Sequence, residues 1–564
     1  MFRPAEGHGS RPRADLAEFQ RRPRGDRDAR IRAAMMLGCA ALMALELHFD
    51  HGTLVAPGPL PDDERLAQLL VVDRRTGSHR APAHRYREIV ARLHSRGVAY
   101  DDLARNYQRI ELPLVAPLDP FPHQREALAA WVAGGCTGIV ELPTGAGKTL
   151  LAVLAIQHTG RPALIVVPTI DLMLQWQQVL QKWFGRPIGM LGGGLSERSE
   201  LTITTYDSAA AQTEFHGNRF GLLICDECHH LPAPAYRFIA AGSLAPYRLG
   251  LTATLERADG LEAVAMELLG PVRYRARIDE LEGTYLAPYE IHAIEVTLDE
   301  DEQARYDECR ALYVDALRTS GVSLNQPGGW AHFIAHCHRS EDGRLAFQAY
   351  REQKRIAFTA RSKVESLWRI LCKHRGDRIL IFTEDNDTVY RLSRLLLLPV
   401  ITHQTKPAER ADLLRRFAGG ELPVLLTSKV LNEGVDVPDA NVGVILSGNG
   451  SVREHVQRLG RILRKREGKR ATLYEIFTAV AAEGRISERR RQHRAYQRGE
   501  PPPHHHLPAR EQFAAPRDPN DDDAAYTDPN APEPDYAEAD DSAADDYTRP
   551  DGAPDLAGPE DVPC

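Results

Sequence analysis

The feature that most constrains this chain is an octet at residues 142–149, which reads LPTGAGKT. Apolar runs precede and follow it, so the local pattern predicts a strand, a glycine-rich turn and a helix. In such a turn the glycines let backbone N–H groups point at phosphate oxygens, and the helix begins with its positive end facing them. An ordinary tight turn is the alternative, because Leu142 stands where the usual pattern has glycine. The octet therefore predicts a nucleotide-phosphate site.

The side chains of the octet have separate predicted roles. Lys148 is expected to reach the β- and γ-phosphates, and the Thr149 hydroxyl is expected to ligate Mg²⁺. ATP and Mg²⁺ are therefore the expected ligands. The residues predicted to bind the nucleotide here are Thr144, Gly145, Ala146, Gly147, Lys148 and Thr149.

A carboxylate pair follows about eighty residues further along the chain. An apolar strand at 222–225 delivers Asp226 and Glu227 at its carboxyl end. Asp226 is expected to hold Mg²⁺ through water, and Glu227 to orient or deprotonate the attacking water. The same stretch reads CDECH, which also matches a redox pair or a haem attachment site. The carboxylates after a P-loop favour ATP hydrolysis instead, and they make His229 a candidate for coupling nucleotide to nucleic acid.

Three more polar residues are assigned to the nucleotide site by their position. Gln124 lies about twenty residues before the octet, where its amide can read the adenine edge with two hydrogen bonds. Thr252 and Thr254 follow another apolar strand in a Thr-Ala-Thr segment. Their hydroxyls can bond to the Asp-Glu loop and relay the state of the nucleotide, and a capped turn is the alternative.

Hydroxyl residues also follow three other predicted strands. Ligands meet parallel sheets at the carboxyl ends of the strands, so these residues are expected to contact a nucleic-acid backbone. Simple turn chemistry is the alternative. The predicted contact residues are Pro168, Thr169, Thr204, Thr205, Thr427 and Ser428.

A second α/β domain is predicted from residue 377, where strands and helices alternate again. A loop after one of its strands reads EGVD and contains Gly434 and Asp436. Asp436 is free to bond a ribose hydroxyl, so both residues are assigned to nucleotide binding.

A helix predicted at 453–464 completes this domain. It places Gln457, Arg461 and Arg464 near one face. An arginine supplied across a domain interface neutralises transition-state charge and can contribute roughly 10³-fold or more in rate. A basic solvent face is the alternative, but a glycine in mid-helix, Gly460, indicates a close approach.

Charge and cysteine usage limit the class of protein. Residues 511–564 hold 17 acidic and 2 basic side chains, so the net charge of this segment is −15. Because the net charge of the whole chain is −8, the remaining residues have a net charge of +7. A mildly basic body suits a nucleic-acid-binding protein, and the acidic tail has too few apolar residues to bury a core. The eight cysteines show no framework spacing, which indicates reduced thiols and a cytoplasmic location. An apolar run at 33–45 is too short to span a bilayer, so no membrane association is expected.

Composition and rhythm divide the chain into six predicted parts. Between about residues 296 and 360 the strand rhythm stops, and basic residues interleave with aromatics, which suits either a nucleic-acid grip or a solvated helical face. Six arginines between residues 74 and 92 leave the same two alternatives open. The predicted parts are a disordered basic arm or over-long start at 1–42, a small α/β domain at 43–112, a first α/β domain at 113–295, a helical insertion at 296–360, a second α/β domain at 361–498 and a disordered acidic tail at 499–564.

Taken in order, the segments read GAGKT, PT, TTY, DECH, TAT, EGVD and QRLGR. This series resembles superfamily 2 helicases and translocases. The stretches DECHHLPAPAY, LGLTATLERADG and QRLGRILRK look like the XPB family of DNA-repair and transcription-factor helicases in its short prokaryotic form. The resemblance covers residues 45–498. It implies an α/β fold of two tandem RecA-like domains, preceded by a damage-recognition-like domain and carrying a helical thumb at 296–360.

The family has an Arg-Glu-Asp motif, linked to strand opening, just after the Thr-Ala-Thr segment. Here the motif reads Arg257-Ala258-Asp259, so its middle carboxylate is missing. Arg257 and Asp259 remain candidates for DNA contact. The substitution leaves the expected ATPase activity intact and weakens the expectation of efficient unwinding.

The resemblance implies an ATP-dependent motor on DNA that moves 3′ to 5′, in repair or in a transcription-linked process. A nucleotide-gated DNA clamp that remodels a partner, and an RNA helicase, are the alternatives. DNA is the expected partner, together with a nuclease, repair or transcription protein. A monomer is expected, although the sequence leaves the oligomeric state open.

Overall fold

The computed structural model of the chain describes residues 45–257, 259–322, 329–428, 440–446 and 470–479. Three sheets organise these residues, with five, eight and six strands in chain order. The predicted arm at 1–42 and the predicted tail at 499–564 lie outside the described residues.

The five-stranded sheet forms a small domain. In chain order its elements are β1 (Leu45–Asp50), β2 (Thr53–Ala56), α1 (Glu64–Leu69), β3 (Val71–Asp73), β4 (Ser78–Pro82), α2 (Tyr86–Ser95) and β5 (Tyr100–Asp102). The strand order is β3-β4-β2-β1-β5, antiparallel except for the parallel pair β1–β5. A two-residue turn joins β1 to β2, and its residues His51 (φ 46°) and Gly52 (φ 75°) both have the positive φ that tight hairpins require.

Most arginines of this small domain are paired within the protein. Arg92 lies 2.7 Å from a carboxylate oxygen of Asp63, and Arg80 lies 2.8 Å from one of Asp50. Arg87 donates to the main-chain oxygens of Gly135 at 2.6 Å and of Pro246 at 3.1 Å, and so fastens the domain to the next one. These contacts favour a structural role over the phosphate contacts that the sequence left open.

The eight-stranded sheet forms the first lobe. Its elements are α3 (Pro122–Ala133), β6 (Thr137–Glu141), α4 (Lys148–Thr159), β7 (Ala163–Val167), α5 (Ile170–Phe184), β8 (Gly189–Gly192), β9 (Leu195–Glu197), β10 (Leu201–Thr205), α6 (Tyr206–His216), β11 (Leu222–Asp226), α7 (Arg237–Ala241), β12 (Tyr247–Thr252), α8 (Glu262–Leu269), β13 (Val272–Arg275) and α9 (Ile278–Leu281). The order is β13-β6-β12-β11-β7-β10-β8-β9, and only the β8–β9 pair is antiparallel.

Apolar packing on both faces explains the continuous apolar strands of this lobe. Ile165 and Val167 of β7 join one hydrophobic cluster, whereas Val166 between them joins another. Helices cover both faces, as parallel sheets require. The carboxyl ends of β6, β7, β10, β11 and β12 therefore meet at one edge, where ligands bind such sheets.

The six-stranded sheet forms the second lobe. Its elements are β14 (Tyr289–Val296), α13 (Arg361–Lys373), β15 (Ile379–Phe382), α14 (Asn386–Leu396), β16 (Val400–Ile401), α15 (Pro407–Ala418), β17 (Val424–Thr427), β18 (Val442–Ile445) and β19 (Ala471–Thr478), with the helices α10 (Glu300–Ser320), α11 (Gly329–Cys337) and α12 (Glu341–Phe358) inserted after β14. The order is β14-β19-β18-β15-β17-β16, and all pairs are parallel.

One predicted boundary differs from the structure. Strand β14 falls within the range predicted for the first domain, 113–295, except for its last residue. It pairs with β19 along its whole length, from Tyr289 opposite Ala471 to Val296 opposite Thr478. Because an edge strand satisfies its backbone groups in the sheet that pairs with it, β14 belongs to the second lobe.

The three inserted helices form their own small core. Tyr313 packs against Phe333 and Tyr350, with ring centroids 5.7 Å and 4.9 Å apart, and all three rings are buried. Rings that grip nucleic acid by stacking must be exposed. These three rings are therefore core residues of the insertion, and the nucleic-acid grip that the sequence left open as one of two alternatives would have to use other side chains.

The two lobes touch across an ion pair between Arg410 on α15 and Asp171 on α5. The predicted α/β class, with two parallel sheets in tandem, is confirmed. No helix in the described part of the chain is long and apolar enough to cross a membrane.

Candidate active site

Residues 142–149 connect β6 to α4 at the carboxyl edge of the first sheet. Gly145 (φ 90°) and Gly147 (φ 84°) have left-handed backbone, which other residues adopt only with strain. A Cβ atom at Gly147 would overlap the Gln124 amide nitrogen. The Thr144 hydroxyl is buried, with no hydrogen-bond partner among the described residues. The turn is thus a cradle that depends on its glycines and holds a polar group available to a ligand.

Lys148 is the first residue of α4 and points back across the turn. Its Nζ lies 3.3 Å from the main-chain oxygen of Leu142 and 3.6 Å from Glu227 Oε1. The side chains of Lys148 and Glu227 are only 10% and 13% exposed. The structure therefore brings together the lysine and the carboxylate pair that the sequence assigned to one site.

Asp226 is the last residue of β11 and is buried. Trp176 Nε1 donates to Asp226 Oδ2 at 2.8 Å, and the main-chain N–H of Glu227 donates to Oδ1 at 3.0 Å. Burial, with the adjacent charge of Glu227, raises the pKa of Asp226 to about 6. A cation beside this carboxylate would offset that desolvation.

Glu227 has a backbone conformation that is uncommon for its residue type. Its φ of 46° lies in the left-handed region, where strain concentrates at functional sites. Tyr206 donates its hydroxyl hydrogen to the main-chain oxygen of Asp226 at 2.9 Å, close to that of Glu227 at 3.4 Å. Glu227 Oε2 is buried without a hydrogen bond in the part of the chain that is described. At ion-pair distance, His229 Nδ1 lies 3.5 Å from Oε2 and Lys148 Nζ lies 3.6 Å from Oε1. A carboxylate held between two nitrogen groups beside the P-loop suits a general base.

The residues proposed to hold Mg²⁺ have suitable chemistry. Thr149 and Asp226 contribute a hydroxyl and a carboxylate, and Mg²⁺ prefers oxygen ligands and keeps several waters. Burial raises the pKa of Asp226 although Lys148 acts in the opposite direction, so a further cation beside this carboxylate would favour its charged form. Within the described ranges no group of three or more His, Cys, Asp or Glu could form a dedicated metal cluster, and a nucleotide-bound Mg²⁺ does not need one.

The alternative reading of CDECH as a redox or haem site does not fit the geometry. Cys225 and Cys228 are fully buried in an apolar cluster. Burial raises the pKa of the Cys225 thiol to about 12 and holds that of Cys228 well above its usual range. Such thiols stay protonated and unreactive at neutral pH.

The predicted coupling residues form one hydrogen-bonded chain. His229 Nδ1 lies 3.1 Å from Thr252 Oγ1, which donates to the main-chain oxygen of Thr254 at 2.7 Å. Arg257 contacts the main-chain oxygen of His229 and pairs with Asp259 at 2.6 Å. The Thr252 hydroxyl therefore joins the Thr-Ala-Thr segment to His229 of the Asp-Glu loop, whereas the Thr254 hydroxyl accepts from the N–H of Glu256 at 3.3 Å, as in a capped turn. A relay of the nucleotide state stays a prediction, and Arg257 and Asp259 bond to each other. Ala258 lies outside the described residues.

Gln124 occupies a different position from the one predicted for it. Its side chain is fully buried, and its amide donates to the main-chain oxygens of Ala146 at 3.3 Å and Gly147 at 3.2 Å. Its Oε1 accepts from the N–H of Phe121 at 3.0 Å. The Gln124 amide thus holds the P-loop against α3, because its nitrogen and its oxygen both form hydrogen bonds with main-chain groups. Direct reading of adenine by Gln124 stays a prediction that requires these bonds to rearrange.

The hydroxyls predicted to contact DNA act locally as caps. Thr169 accepts from the N–H of Leu172 at 3.2 Å and begins α5, and Thr205 accepts from the N–H of Ser208 at 3.3 Å and begins α6. Thr204 is buried and donates to the main-chain oxygen of Thr205. This is the turn chemistry that the sequence left open, although Pro168 and Thr169 stay partly exposed. DNA contact at these loops stays a prediction.

Thr427 in the second lobe repeats the arrangement of Thr204. Its hydroxyl donates to the main-chain oxygen of Ser428 at 3.0 Å, and both residues are buried. The other predicted residues of this lobe lie outside the described ranges, and their roles stay predictions: Gly434, Asp436, Gln457, Arg461 and Arg464.

Two residues that contact the carboxylate pair were not assigned a role from the sequence. Trp176 and Tyr206 are buried and bond to Asp226 from two different helices. In the sequence, these two residues are marked only by their position. Each lies on a helix that begins after a strand-end threonine, at the carboxyl edge of the first sheet. Nothing local identifies their partner.

Comparisons with protein-family models match three parts of the chain. Residues 47–104 match the xeroderma pigmentosum group B helicase damage recognition domain, residues 117–257 match the type III restriction enzyme res subunit, and residues 362–466 match the helicase conserved C-terminal domain. The matched ranges follow the small domain and the two lobes in order.

Curated relatives include proteins from archaea and bacteria. The chain is 42% identical over 370 residues to the DNA 3′-5′ translocase XPB2 of Sulfurisphaera tokodaii, which covers 66% of this chain and 84% of that protein. It is 33% identical over 389 residues to the DNA 3′-5′ helicase XPB of Mycobacterium tuberculosis, covering 66% of this chain and 63% of that protein. It is 32% identical over 356 residues to the protein of that name from Kineococcus radiotolerans, covering 61% and 57%. The chain thus spans less than two thirds of the length of the second and third relatives.

Proposed function

Because the chain belongs to the XPB family of superfamily 2 helicases, we propose that it is an ATP-dependent motor that moves 3′ to 5′ on DNA. The direction and the substrate come from the names of the relatives, which are a DNA 3′-5′ translocase and DNA 3′-5′ helicases. The site itself supplies the argument for hydrolysis.

The observation that carries the proposal is the meeting of Lys148 with Glu227 at the edge of the first sheet. A lysine at the start of a helix and a buried glutamate lie 3.6 Å apart, and the second glutamate oxygen makes no hydrogen bond among the described residues. Lys148 Nζ has three donors and bonds to the main-chain oxygen of Leu142, so both side chains can still bond to a ligand. A phosphate between the P-loop and Glu227 would use both groups.

Each residue then has a defined task in hydrolysis. Lys148 and the backbone N–H groups of Gly145 and Gly147 bind the β- and γ-phosphates. Glu227 Oε2 takes a proton from a water molecule as the water oxygen attacks the γ-phosphorus, and the bond from that phosphorus to the bridging oxygen of ADP breaks. Mg²⁺, held by Thr149 and Asp226 when bound, supplies charge neutralisation at the phosphate oxygens.

Movement on DNA is proposed to follow from opening and closing of the two lobes. Nucleotide between the lobes favours closure, and hydrolysis releases it. The Arg410–Asp171 ion pair lies at the start of α5, next to Pro168 and Thr169, so lobe position and this loop change together. Arg461 and Arg464 are proposed to complete the site from the second lobe.

The test is ATP hydrolysis with and without single-stranded, duplex and forked DNA, and with RNA in parallel. We expect DNA to stimulate hydrolysis more than RNA does. Lys148→Ala and Glu227→Gln should each abolish the stimulated rate, because they remove phosphate binding and the general base. Near wild-type turnover in either variant would refute the assignment, and stronger stimulation by RNA would favour an RNA helicase.

A second candidate, a nucleotide-gated DNA clamp or translocase that remodels a partner without opening strands, is favoured by one observation. Where the family has Arg-Glu-Asp, this chain has alanine between Arg257 and Asp259. Arg257 pairs with Asp259 at 2.6 Å, and no carboxylate stands between them to contact a strand. A strand-displacement assay decides between the two functions, since hydrolysis without displacement favours the clamp.

A further inference from the structure

Helix α5 connects one predicted DNA loop directly to the hydrolysis site. The hydroxyl of Thr169 caps its first turn, at the carboxyl end of β7. Two turns later Trp176 reaches Asp226, and its indole N–H donates to the Asp226 carboxylate at 2.8 Å. Trp176 is almost fully buried, so the ring is fixed by packing and moves with the helix.

Helix α6 makes a second connection of the same kind. Its cap is Thr205, at the end of β10, and its first residue is Tyr206. The Tyr206 hydroxyl donates to the main-chain oxygen of Asp226 at 2.9 Å, beside the left-handed Glu227. Its ring is packed against those of His230 and Tyr236, so it too is held in place.

The sheet order makes the two connections converge. Strand β7 lies between β11 and β10, so α5 begins on the strand beside the one that ends in Asp226, and α6 begins one strand further along the same edge. Each helix is a rigid element that bonds to the Asp-Glu loop through one hydrogen bond from an aromatic side chain. A shift of either loop on binding DNA would therefore move the atoms that hold the carboxylates.

We propose that Trp176 and Tyr206 are positioning residues through which DNA binding at the two loops sets the geometry of Asp226 and Glu227. The proposal rests on the proposed function, because it requires hydrolysis that DNA stimulates. It deepens that function by assigning the stimulation to two hydrogen bonds, one to the Asp226 carboxylate and one to its main-chain oxygen.

The experiment uses Trp176→Phe and Tyr206→Phe in the full chain. Tyr206→Phe removes only the hydroxyl, whereas Trp176→Phe removes the indole N–H together with part of the buried ring volume, so the tryptophan needs a control that loses the same volume elsewhere. Trp131→Phe is the matched control for the indole, because Trp131 Nε1 donates to the main-chain oxygen of Arg248 at 2.9 Å, away from the carboxylates. Tyr86→Phe is the control for the hydroxyl, since Tyr86 donates to Asp102 at 2.6 Å in the small domain.

Two readouts separate coupling from simple loss of stability. The first is the ratio of ATP turnover at saturating forked DNA to turnover without DNA. The second is the ratio of the DNA Kd values measured by fluorescence anisotropy with and without a non-hydrolysable ATP analogue. This ratio measures the coupling free energy between the nucleotide and DNA sites, and it does not require ATP hydrolysis. We expect Trp176→Phe and Tyr206→Phe to lower the first ratio about fivefold or more and to bring the second toward unity. The controls should change neither ratio.

Wild-type stimulation in both variants, with an unchanged Kd ratio, would overturn the inference while leaving the proposed function intact. Absence of DNA stimulation in the wild-type protein would instead overturn the proposed function, and the inference with it. The two substitutions act on different helices, so if one variant fails to fold, the other carries the test alone.

Discussion

Glu227→Gln is expected to make the protein more stable and almost inactive at the same time. The change keeps the shape of the side chain and removes a charge that is 13% exposed. The carboxylate oxygen that has no hydrogen bond among the described residues becomes part of a neutral amide, which costs less free energy to bury than a charged group. The free energy of unfolding should therefore rise while ATP turnover falls, because keeping a charged general base buried destabilises the folded state.

The size of the stability change can be worked from the neighbours of Glu227. Lys148 Nζ lies 3.6 Å from one carboxylate oxygen and His229 Nδ1 lies 3.5 Å from the other, whereas the charge of adjacent Asp226 repels the carboxylate. We take these opposite contributions to offset each other. The desolvated oxygen remains, and such a group destabilises by about 1–3 kcal/mol. Taking the lower end because water reaches part of the side chain, we expect a gain of about 1 kcal/mol, or a rise in Tm of roughly 2–4 °C for a lobe of this size.

The assay is thermal unfolding of the ligand-free protein, together with DNA-stimulated ATP turnover. Turnover should fall by about 10²–10⁴, the contribution of a positioned general base. Glu141→Gln is the matched control, because Glu141 is also buried but is bonded to Arg275 at 2.7 Å and 2.8 Å. That variant should lose up to about 1 kcal/mol, a small value because Arg275 is half exposed, and should retain its turnover.

A lower Tm in Glu227→Gln than in the wild-type protein would refute the reasoning about Glu227 Oε2, the oxygen without a hydrogen bond among the described residues. Turnover within a few-fold of wild type would refute the assignment of the base. The two results are independent, so each part of the argument can fail separately.

Two further predictions concern the P-loop and the docking of the small domain. Gly147→Ala should abolish binding of a fluorescent ATP analogue, because the backbone φ is 84° and the added Cβ would overlap the Gln124 amide. The control is Gly58→Ala, where φ is 95° but no atom lies within 4 Å of the added Cβ, and this variant should only lower Tm slightly. Equal nucleotide affinity in both variants would contradict this. Burial, followed by the charges of Arg248 and Arg85, lowers the pKa of His84 to about 4. The folded state therefore resists protonation of His84, so its contribution to stability is complete above pH 6.5 and is lost as the pH falls toward 4. His84→Gln should reduce the fall in stability between pH 7.5 and 5 by about 1 kcal/mol, allowing for partial exposure; an unchanged Tm difference between the two pH values would exclude this role.

The chemistry of the candidate site could be predicted from the sequence because local patterns carry it. A glycine-rich turn between apolar runs specifies a phosphate cradle, and an acidic pair after an apolar strand specifies the opposing carboxylates. Parallel strands end at one edge, so order along the chain was enough to place Lys148 near Glu227, and the structure has them 3.6 Å apart.

Hydrogen-bond partners could not be predicted in the same way. Thr204 and Thr205 have the residue types of phosphate ligands, yet their hydroxyls bond to the neighbouring backbone, because a helix that begins at a strand end needs a cap. Gln124 has the amide of an adenine reader, but in the fold its nearest acceptors are the P-loop carbonyls.

The sequence by itself determined the class of fold, the order of the motifs and the reaction they serve, since periodicity and residue chemistry are local properties. Only the tertiary structure decided that β14 joins the second sheet, that Glu227 has a left-handed backbone and lies between Lys148 and His229, and that Trp176 and Tyr206 both bond to Asp226. Those facts depend on which strands lie side by side and on how helices pack over them. Such contacts join residues twenty to nearly two hundred positions apart, and no local pattern encodes them.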